Sequence, residues 1–162
     1  MKGYKMKKLI LIVPIILLYC LGCDYATNYD VVLKGNSRHQ DNGSVNQVEI
    51  NNALQIIEET VEFYKLAQKT TVPEDVAHLK PIAIYRETSV KLVSGNLSII
   101  VYIEGEQNLV ININGLSPNR QDNRKIVEEI KNQLYNRLSS EFGPERVMVN
   151  NNPEIIKVAG PF

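Results

Sequence analysis

Few residues in this chain of 162 could carry acid-base or nucleophilic chemistry, since it has two histidines and two cysteines. His39 lies in a polar segment and His78 near a turn, and neither has a serine or cysteine partner placed beside it. The acidic pairs Glu58-Glu59 and Glu128-Glu129 fall in helical patterns, where adjacent side chains point about 100° apart. The sequence therefore predicts no catalytic site, no metal site and no cofactor.

Both cysteines, Cys20 and Cys23, follow an apolar run from Leu9 to Leu18 that begins after several lysines. A basic start, a short apolar run and a small residue are typical of a secretory signal peptide. Counted generously to Cys23, the run is about 15 residues long, whereas a spanning helix needs roughly 20. We therefore expect a signal peptide over residues 1–22, with an uncleaved membrane anchor as the alternative.

The residue before each cysteine distinguishes the two. Gly22 precedes Cys23, whereas the bulky Tyr19 precedes Cys20. The ending Leu21-Gly22-Cys23 resembles the lipobox of bacterial lipoproteins, although Cys20 and Leu21 depart from the commonest residues there. The resemblance implies cleavage between Gly22 and Cys23, and attachment of diacylglycerol and palmitate to Cys23. It also implies a cell membrane location, anchored by lipid on the extracytoplasmic side.

Removing the signal peptide changes both the thiol count and the charge. Cys23 becomes the only thiol, which excludes a disulfide framework. The chain has 18 basic and 18 acidic residues, and four lysines lie in the signal peptide, so the mature net charge is near −4. Nucleic-acid binding needs clustered Lys and Arg, so this class of partner is not expected.

The region after Cys23 is polar up to about Asn46, with many Asn, Gly and Ser residues. Such composition buries too little apolar surface to offset the entropy of ordering. We therefore predict a flexible tether over residues 23–45, a single domain over 46–152, and a C-terminal tail over 153–162.

Two helices are predicted in the domain. The first begins at the Ser44-x-x-Gln47 capping-box spacing and runs to about Lys69. The second opens at Ser117-Pro118 and stops at Gly143-Pro144. Apolar residues recur every three or four positions in both, as in an amphipathic helix. These stripes comprise Ile50, Leu54, Ile57, Val61 and Tyr64 in the first helix, and Ile126, Val127, Ile130, Leu134, Leu138 and Phe142 in the second.

Strands are predicted between and after the helices. Residues 82–93 form one bent strand or two, 97–104 and 109–114 form a hairpin, and 147–149 form a last short strand. The hairpin has one dry side, because Leu109, Ile111 and Ile113 alternate with the polar Asn112 and Asn114. The predicted fold is α+β, with two helices packed on one face of a small, mostly antiparallel sheet.

The other side of the hairpin presents Ile100, Tyr102 and Val110. An apolar strip on an uncovered sheet face can mark a partner surface. We therefore predict these three residues as a docking surface for another envelope protein. The alternative is that the N-terminal segment or the loop near Pro73 covers this face.

The C-terminal region carries a second resemblance. Residues 146–155, Arg-Val-Met-Val-Asn-Asn-Asn-Pro-Glu-Ile after a charged helix, are similar to the end of YhcN/YlaJ-type sporulation lipoproteins. The similarity covers about a third of the chain and implies a non-enzymatic protein of the membrane and spore envelope.

Together these features predict a membrane-anchored lipoprotein that acts as a non-catalytic binding or scaffolding module. The alternatives are a small-solute receptor, which usually needs a cleft larger than this domain offers, and an accessory to a cell-wall hydrolase.

Overall fold

The computed structural model describes residues 23–36, 43–72, 74–87, 96–105, 107–117, 120–150 and 157–159; the predicted signal peptide lies outside them. The described residues form two α-helices, a 3₁₀ helix over Glu74–Leu79, and seven strands. The helices are α1 (Gln47–Phe63) and α2 (Arg120–Phe142). The strands are β1 (Cys23–Leu33), β2 (Leu66–Gln68), β3 (Ala83–Glu87), β4 (Asn96–Glu104), β5 (Asn108–Ser117), β6 (Val147–Asn150) and β7 (Lys157–Ala159).

The strands form one sheet in the order β2-β3-β4-β5-β1-β6, and β7 also pairs with β1. Each of these pairs is antiparallel, and β3, β4 and β5 follow one another as a meander. The predicted α+β class is confirmed. The order differs from the prediction, because the sheet begins with β1, ahead of both helices.

Residues 23–33 are not part of a tether, because they form β1 in the interior of the sheet. β5 pairs along one side of this strand, while β6 and β7 pair along the other. Tyr29, Val31 and Leu33 alternate with Asn28 and Asp30, and the first three are buried. The polar composition was a misleading signal because every second residue enters the core, which is the pattern of a half-buried strand. Residues 37–42 of the predicted tether lie outside the described residues.

The main core lies between one face of the sheet and the two helices. The hairpin residues predicted to be dry, Leu109, Ile111 and Ile113, are fully buried there. Helix α2 supplies the buried Val127, Ile130, Leu134 and Leu138, and α1 supplies Ile50, Ala53, Ile57 and Val61. Both predicted apolar stripes therefore face the sheet, except that Ile126 is exposed.

Helix α1 starts two residues later than its predicted capping box. Asn46 is the N-cap, and its side-chain Oδ1 accepts from the Glu49 amide at 2.9 Å while the Glu49 carboxylate accepts from the Asn46 amide at 3.1 Å. Asn is as good an N-cap as Ser, and Glu at the third helical position completes the reciprocal pair. The helix therefore begins at the overlapping Asn46–Glu49 capping box, in which both reciprocal hydrogen bonds form, and not at the Ser44-Gln47 spacing.

Helix α1 also ends earlier than predicted, at Phe63. Lys65 adopts a left-handed backbone with φ 56°, which turns the chain out of the helix. The next residues form β2, and Leu66 is buried. The predicted last turn of the helix is therefore the edge strand of the sheet.

Helix α2 begins at Arg120, while Ser117 is the last residue of β5 and Pro118 lies outside the described residues. Its predicted end is close to the observed one, since the helix stops at Phe142 and Gly143 follows with φ 93°. Glycine adopts this conformation without steric cost, which suits a helix end.

The 3₁₀ helix lies on the other face of the sheet. Its Val76 packs with Ile84 of β3 and Ile100 of β4 in a small second cluster, against which Leu79 and Tyr102 are partly buried. The segment after Pro73 therefore covers part of the face that the helices leave open. This arrangement corresponds to the alternative to a partner surface, in which the loop near Pro73 covers this face.

The predicted C-terminal tail contributes a strand. Lys157 to Ala159 form β7, which pairs with Cys23 to Tyr25 at the start of β1. The prediction is wrong for these three residues, because β1 has an unpaired edge beyond β6 that the tail can occupy. The other residues after Asn150 lie outside the described residues.

Arg146 joins three elements at the far end of β1. Its Nη1 lies 2.6 Å from Glu49 Oε1 at the start of α1, and the two side chains are only 13% and 16% exposed. Its Nη2 and Nε donate to the Lys34 carbonyl at 2.8 and 3.0 Å. The guanidinium thus links the end of β1, the cap of α1 and the turn before β6.

Candidate functional site

Four polar side chains meet on the sheet face opposite the helices, and we call Asn28, Asp30, Asn112 and Asn114 the amide cluster. The register pairs Asn28 with Asn114 and Asp30 with Asn112 across β1 and β5. Directly paired residues point to the same face of a sheet, so the four side chains lie side by side. All four are half-buried.

Asn112 is the centre of the amide cluster. Its Nδ2 donates to Asn28 Oδ1 and to Asp30 Oδ1, both at 2.7 Å, and its Oδ1 accepts from Asn114 Nδ2 at 3.1 Å. Both amide hydrogens of Asn112 are therefore used, which fixes its orientation. Within the described residues, no hydrogen bond occupies the Asn28 amide hydrogens or the second oxygen of Asp30. These groups can bond a ligand.

The amide cluster belongs to two rows of side chains that cross this face. One row is polar throughout and the other changes from apolar to polar between β4 and β5. The first row contains Arg86, Ser98, Asn114 and Asn28, and the second contains Ile84, Ile100, Asn112, Asp30 and Asn150. The 3₁₀ helix packs on the apolar residues of the second row, Ile84 and Ile100. The apolar cluster that it forms does not include the polar residues of that row. Both rows are therefore polar over β5 and β1, and the second row remains polar over β6 at Asn150.

An aromatic ring borders the amide cluster. Tyr102 pairs with Val110 one row above Asn112 and is half-buried. Burial raises the pKa of Tyr102 above its usual range, and the negative charges of Asp30 and Glu104 add to this shift. Tyr102 pairs with Val110 and Asp30 pairs with Asn112, so the phenol and the carboxylate lie in adjacent rows of the same sheet face. The site therefore combines one ring, one carboxylate and three amides.

The predicted partner surface is largely inaccessible. Ile100 is 3% exposed and Val110 is 2% exposed, and Val76 of the 3₁₀ helix packs on Ile100. Tyr102 alone keeps a half-exposed side chain. Two of the three residues therefore do not form an exposed strip, because a short helix that the hairpin pattern could not reveal lies over Ile100.

The predicted lipidation site is the first residue of β1. Cys23 pairs with Ala159 of β7, and Tyr25 pairs with Ser117 of β5 and Lys157 of β7. Gly22 lies outside the described residues. Cleavage before Cys23 and acylation of its thiol stay predictions.

The acidic pairs on the helices make structural contacts. Glu58 accepts from the Tyr85 hydroxyl at 3.4 Å, and Glu128 accepts from the Tyr29 hydroxyl at 3.3 Å. Each bond joins a helix to a buried tyrosine of the sheet, and burial is the main cause that raises the pKa of both phenols. Glu59 forms an ion pair with Arg137 of α2. Of the two histidines, His78 is exposed in the 3₁₀ helix and His39 lies outside the described residues.

In the described part of the chain, no three His, Cys, Asp or Glu side chains converge as metal ligands. No helix there is both long and apolar enough to cross a membrane. An open groove of about 400 Å³ lies between α2 and the edge strand β6, lined by Lys131, Asn132, Tyr135, Val147, Met148 and Val149.

Comparison with known proteins adds no relative to this picture: the chain matches no protein-family model and no curated protein.

Proposed function

We propose that this protein is a lipid-anchored, non-catalytic binding module of the bacterial envelope, and that the amide cluster contacts its ligand. The observation that carries the proposal is a conflict with strand propensity. Asn and Asp are depleted in strands, yet four of them lie side by side in two adjacent interior strands. Positions that break a local rule together, and that form one hydrogen-bonded unit, are expected at functional sites.

The chemistry of the amide cluster fits a polyhydroxylated ligand, such as the glycan strands of a cell wall. A sugar hydroxyl both donates and accepts, and an amide side chain offers both groups. The free oxygen of Asp30 accepts from a hydroxyl, while the Asn28 amide donates to one. Tyr102 supplies an apolar ring edge beside them, and binding sites combine apolar walls with a few placed polar groups.

The anchor is the predicted lipid on Cys23. Two or more acyl chains are needed for stable anchoring, at roughly 0.8 kcal/mol for each buried CH₂. Mass spectrometry of the protein extracted from membranes is expected to show a chain that begins at Cys23 with diacylglycerol on its thiol. An unmodified Cys23 in a chain that starts at Met1 or Met6 would contradict the anchor.

The ligand class is tested by sedimentation of the full-length protein, in detergent, with purified cell-wall sacculi. We expect Asn112→Ala to weaken binding by about tenfold or more, because it removes the two hydrogen bonds that orient Asn28 and Asp30 toward the ligand. Asn114→Thr is expected to weaken binding without lowering the melting temperature, because threonine suits a strand better than asparagine.

The matched control is Asn136→Ala, which removes an exposed asparagine from the outer surface of α2. This variant is expected to bind sacculi like the original protein. Absence of any sedimentation with sacculi, or equal binding by Asn112→Ala and Asn136→Ala, would reject the glycan assignment.

A small-solute receptor is the second candidate, and the groove beside β6 favours it. Its volume of about 400 Å³ falls within the usual range of ligand sites. Lys131 and Tyr135 give it a cation and a phenol beside apolar side chains. A rise in melting temperature with a small anionic solute, lost in Tyr135→Ala, would favour this candidate over the glycan module.

A further inference from the structure

We infer that the folded domain rests directly on an anionic membrane surface, with the first turns of α2 turned toward the lipid headgroups. This inference depends on the proposed lipid anchor at Cys23. It adds the orientation of the domain and the charge of the surface that it contacts.

No spacer separates the anchor residue from the fold. Cys23 is itself the first residue of β1 and pairs with Ala159. Two residues later, Tyr25 is held between Ser117 of β5 and Lys157 of β7. A lipid on the Cys23 thiol would therefore bring the sheet to the membrane, because the chain has no free length with which to move away.

We call this end of the domain the anchor end. Here β1 begins, β5 ends, and α2 starts a few residues after Ser117. The opposite end carries Lys34, the turn at Gly105 and the start of β6 at Val147, which pairs with Leu33. An 11-residue strand such as β1 spans about 36 Å. The two ends are therefore well separated relative to a Debye length of about 8–10 Å.

Most charges near the start of α2 are arranged against its own dipole. Its first six positions contain three basic residues, Arg120, Arg124 and Lys125, and one acidic residue, Asp122. Glu141 lies in the last turn, which contains no basic residue. A helix N-terminus favours anions and a C-terminus favours cations. Three basic residues against one acid leave an excess of positive charge at the helix N-terminus, and a negative surface nearby would neutralise it.

The anionic membrane supplies that negative surface. Arg124 and Lys125 are exposed, and helical side chains lean toward the N-terminus, which here is the anchor end. Arg124 also pairs with Glu128 at 2.9 Å, whereas Lys125 has no ion pair within the described residues. Glu104, Glu141 and Glu145 are exposed toward the opposite end. Juxtamembrane Lys and Arg are attracted to anionic lipid, and carboxylates are repelled.

The chain has no tryptophan, so a single introduced Trp reports its distance from the membrane. Ile126 of α2 and Met148 of β6 are both 41% exposed, and they give two matched positions. The lipidated protein carrying Ile126→Trp or Met148→Trp is placed on vesicles of phosphatidylglycerol that contain a headgroup-labelled acceptor lipid. We expect energy transfer from the Ile126→Trp protein to be at least twofold more efficient than from the Met148→Trp protein.

Charge is tested on the Ile126→Trp protein by adding Arg124→Glu and Lys125→Glu. Energy transfer on phosphatidylglycerol vesicles is expected to fall by half or more. A similar fall is expected when the Ile126→Trp protein without these two substitutions is placed on neutral phosphatidylcholine vesicles. The control pair Lys34→Glu and Lys69→Glu makes the same charge change at exposed positions away from the start of α2, and is expected to leave the transfer unchanged.

Equal transfer from the two Trp positions would overturn the inference, and so would an ordering unaffected by lipid charge or by the α2 substitutions. These outcomes leave the proposed anchor standing, because the protein is still on the vesicles. If the protein extracted from membranes carries no lipid and does not bind the vesicles, the proposed anchor itself is wrong. The mass spectrum shows independently whether Cys23 carries the lipid.

Discussion

Replacing Leu33 with alanine is expected to lower the free energy of unfolding by about 2–5 kcal/mol. Leu33 is fully buried at the end of β1, where it pairs with Leu109 on one side and Val147 on the other. Truncation removes apolar contacts and leaves a cavity, because neighbours paired in strands on both sides can relax only slightly. Urea unfolding of the purified protein, followed by circular dichroism, measures the change.

The neighbouring residue provides the control. Lys34 is exposed, so Lys34→Ala should change the free energy of unfolding by less than about 0.5 kcal/mol. In a flexible tether, both variants would unfold at the same urea concentration as the original protein. That result would remove β1 from the core and would remove half of the amide cluster from the proposed site.

The parts of the fold that could be predicted from sequence have local signals. β5 alternates apolar and polar residues from Ile111 to Asn114, β4 is rich in β-branched residues, and α2 repeats its apolar residues over 23 residues. In β1 the alternation is equally present in Tyr29, Val31 and Leu33, but Asn and Asp between them gave the segment the composition of a linker. The pairing of β1 with β5 joins residues 76 to 92 positions apart, from Leu33 with Leu109 to Tyr25 with Ser117, so only the folded structure reveals it.

The same long-range pairing limited what could be predicted of the site. Asn112 and Asn114 were visible as the polar side of a half-buried strand. Their hydrogen-bond partners Asn28 and Asp30 were assigned to the tether, so no cluster could be assembled. Cover by the segment near Pro73 was one of the two alternatives for the face that contains Ile100, but no signal in the sequence chose between them and an exposed partner surface. Local periodicity therefore predicted the core face better than the open face.

Replacing Arg146 with methionine is expected to destabilise the domain by about 3–5 kcal/mol, the cost of breaking a mostly buried ion pair. The change keeps most of the apolar stem and removes the guanidinium, whose central carbon lies 6.0 Å from the centroid of the Phe142 ring. Glu49 then keeps a largely buried negative charge without this partner, and the Lys34 carbonyl loses both of its bonds from the side chain. Thermal and urea unfolding of Arg146→Met measure the loss.

Arg124→Met is the matched control, since the same substitution there breaks an ion pair whose side chains are 54% and 36% exposed. Exposed pairs contribute about 0–1 kcal/mol, so this variant should be nearly as stable as the original protein. Adding Glu49→Gln to Arg146→Met should recover part of the loss, because the buried negative charge that the guanidinium no longer balances is then gone. Strictly additive losses would mean that Arg146 stabilises the domain through the Lys34 carbonyl and packing alone, and that the start of α1 is joined to the end of β1 without electrostatic coupling.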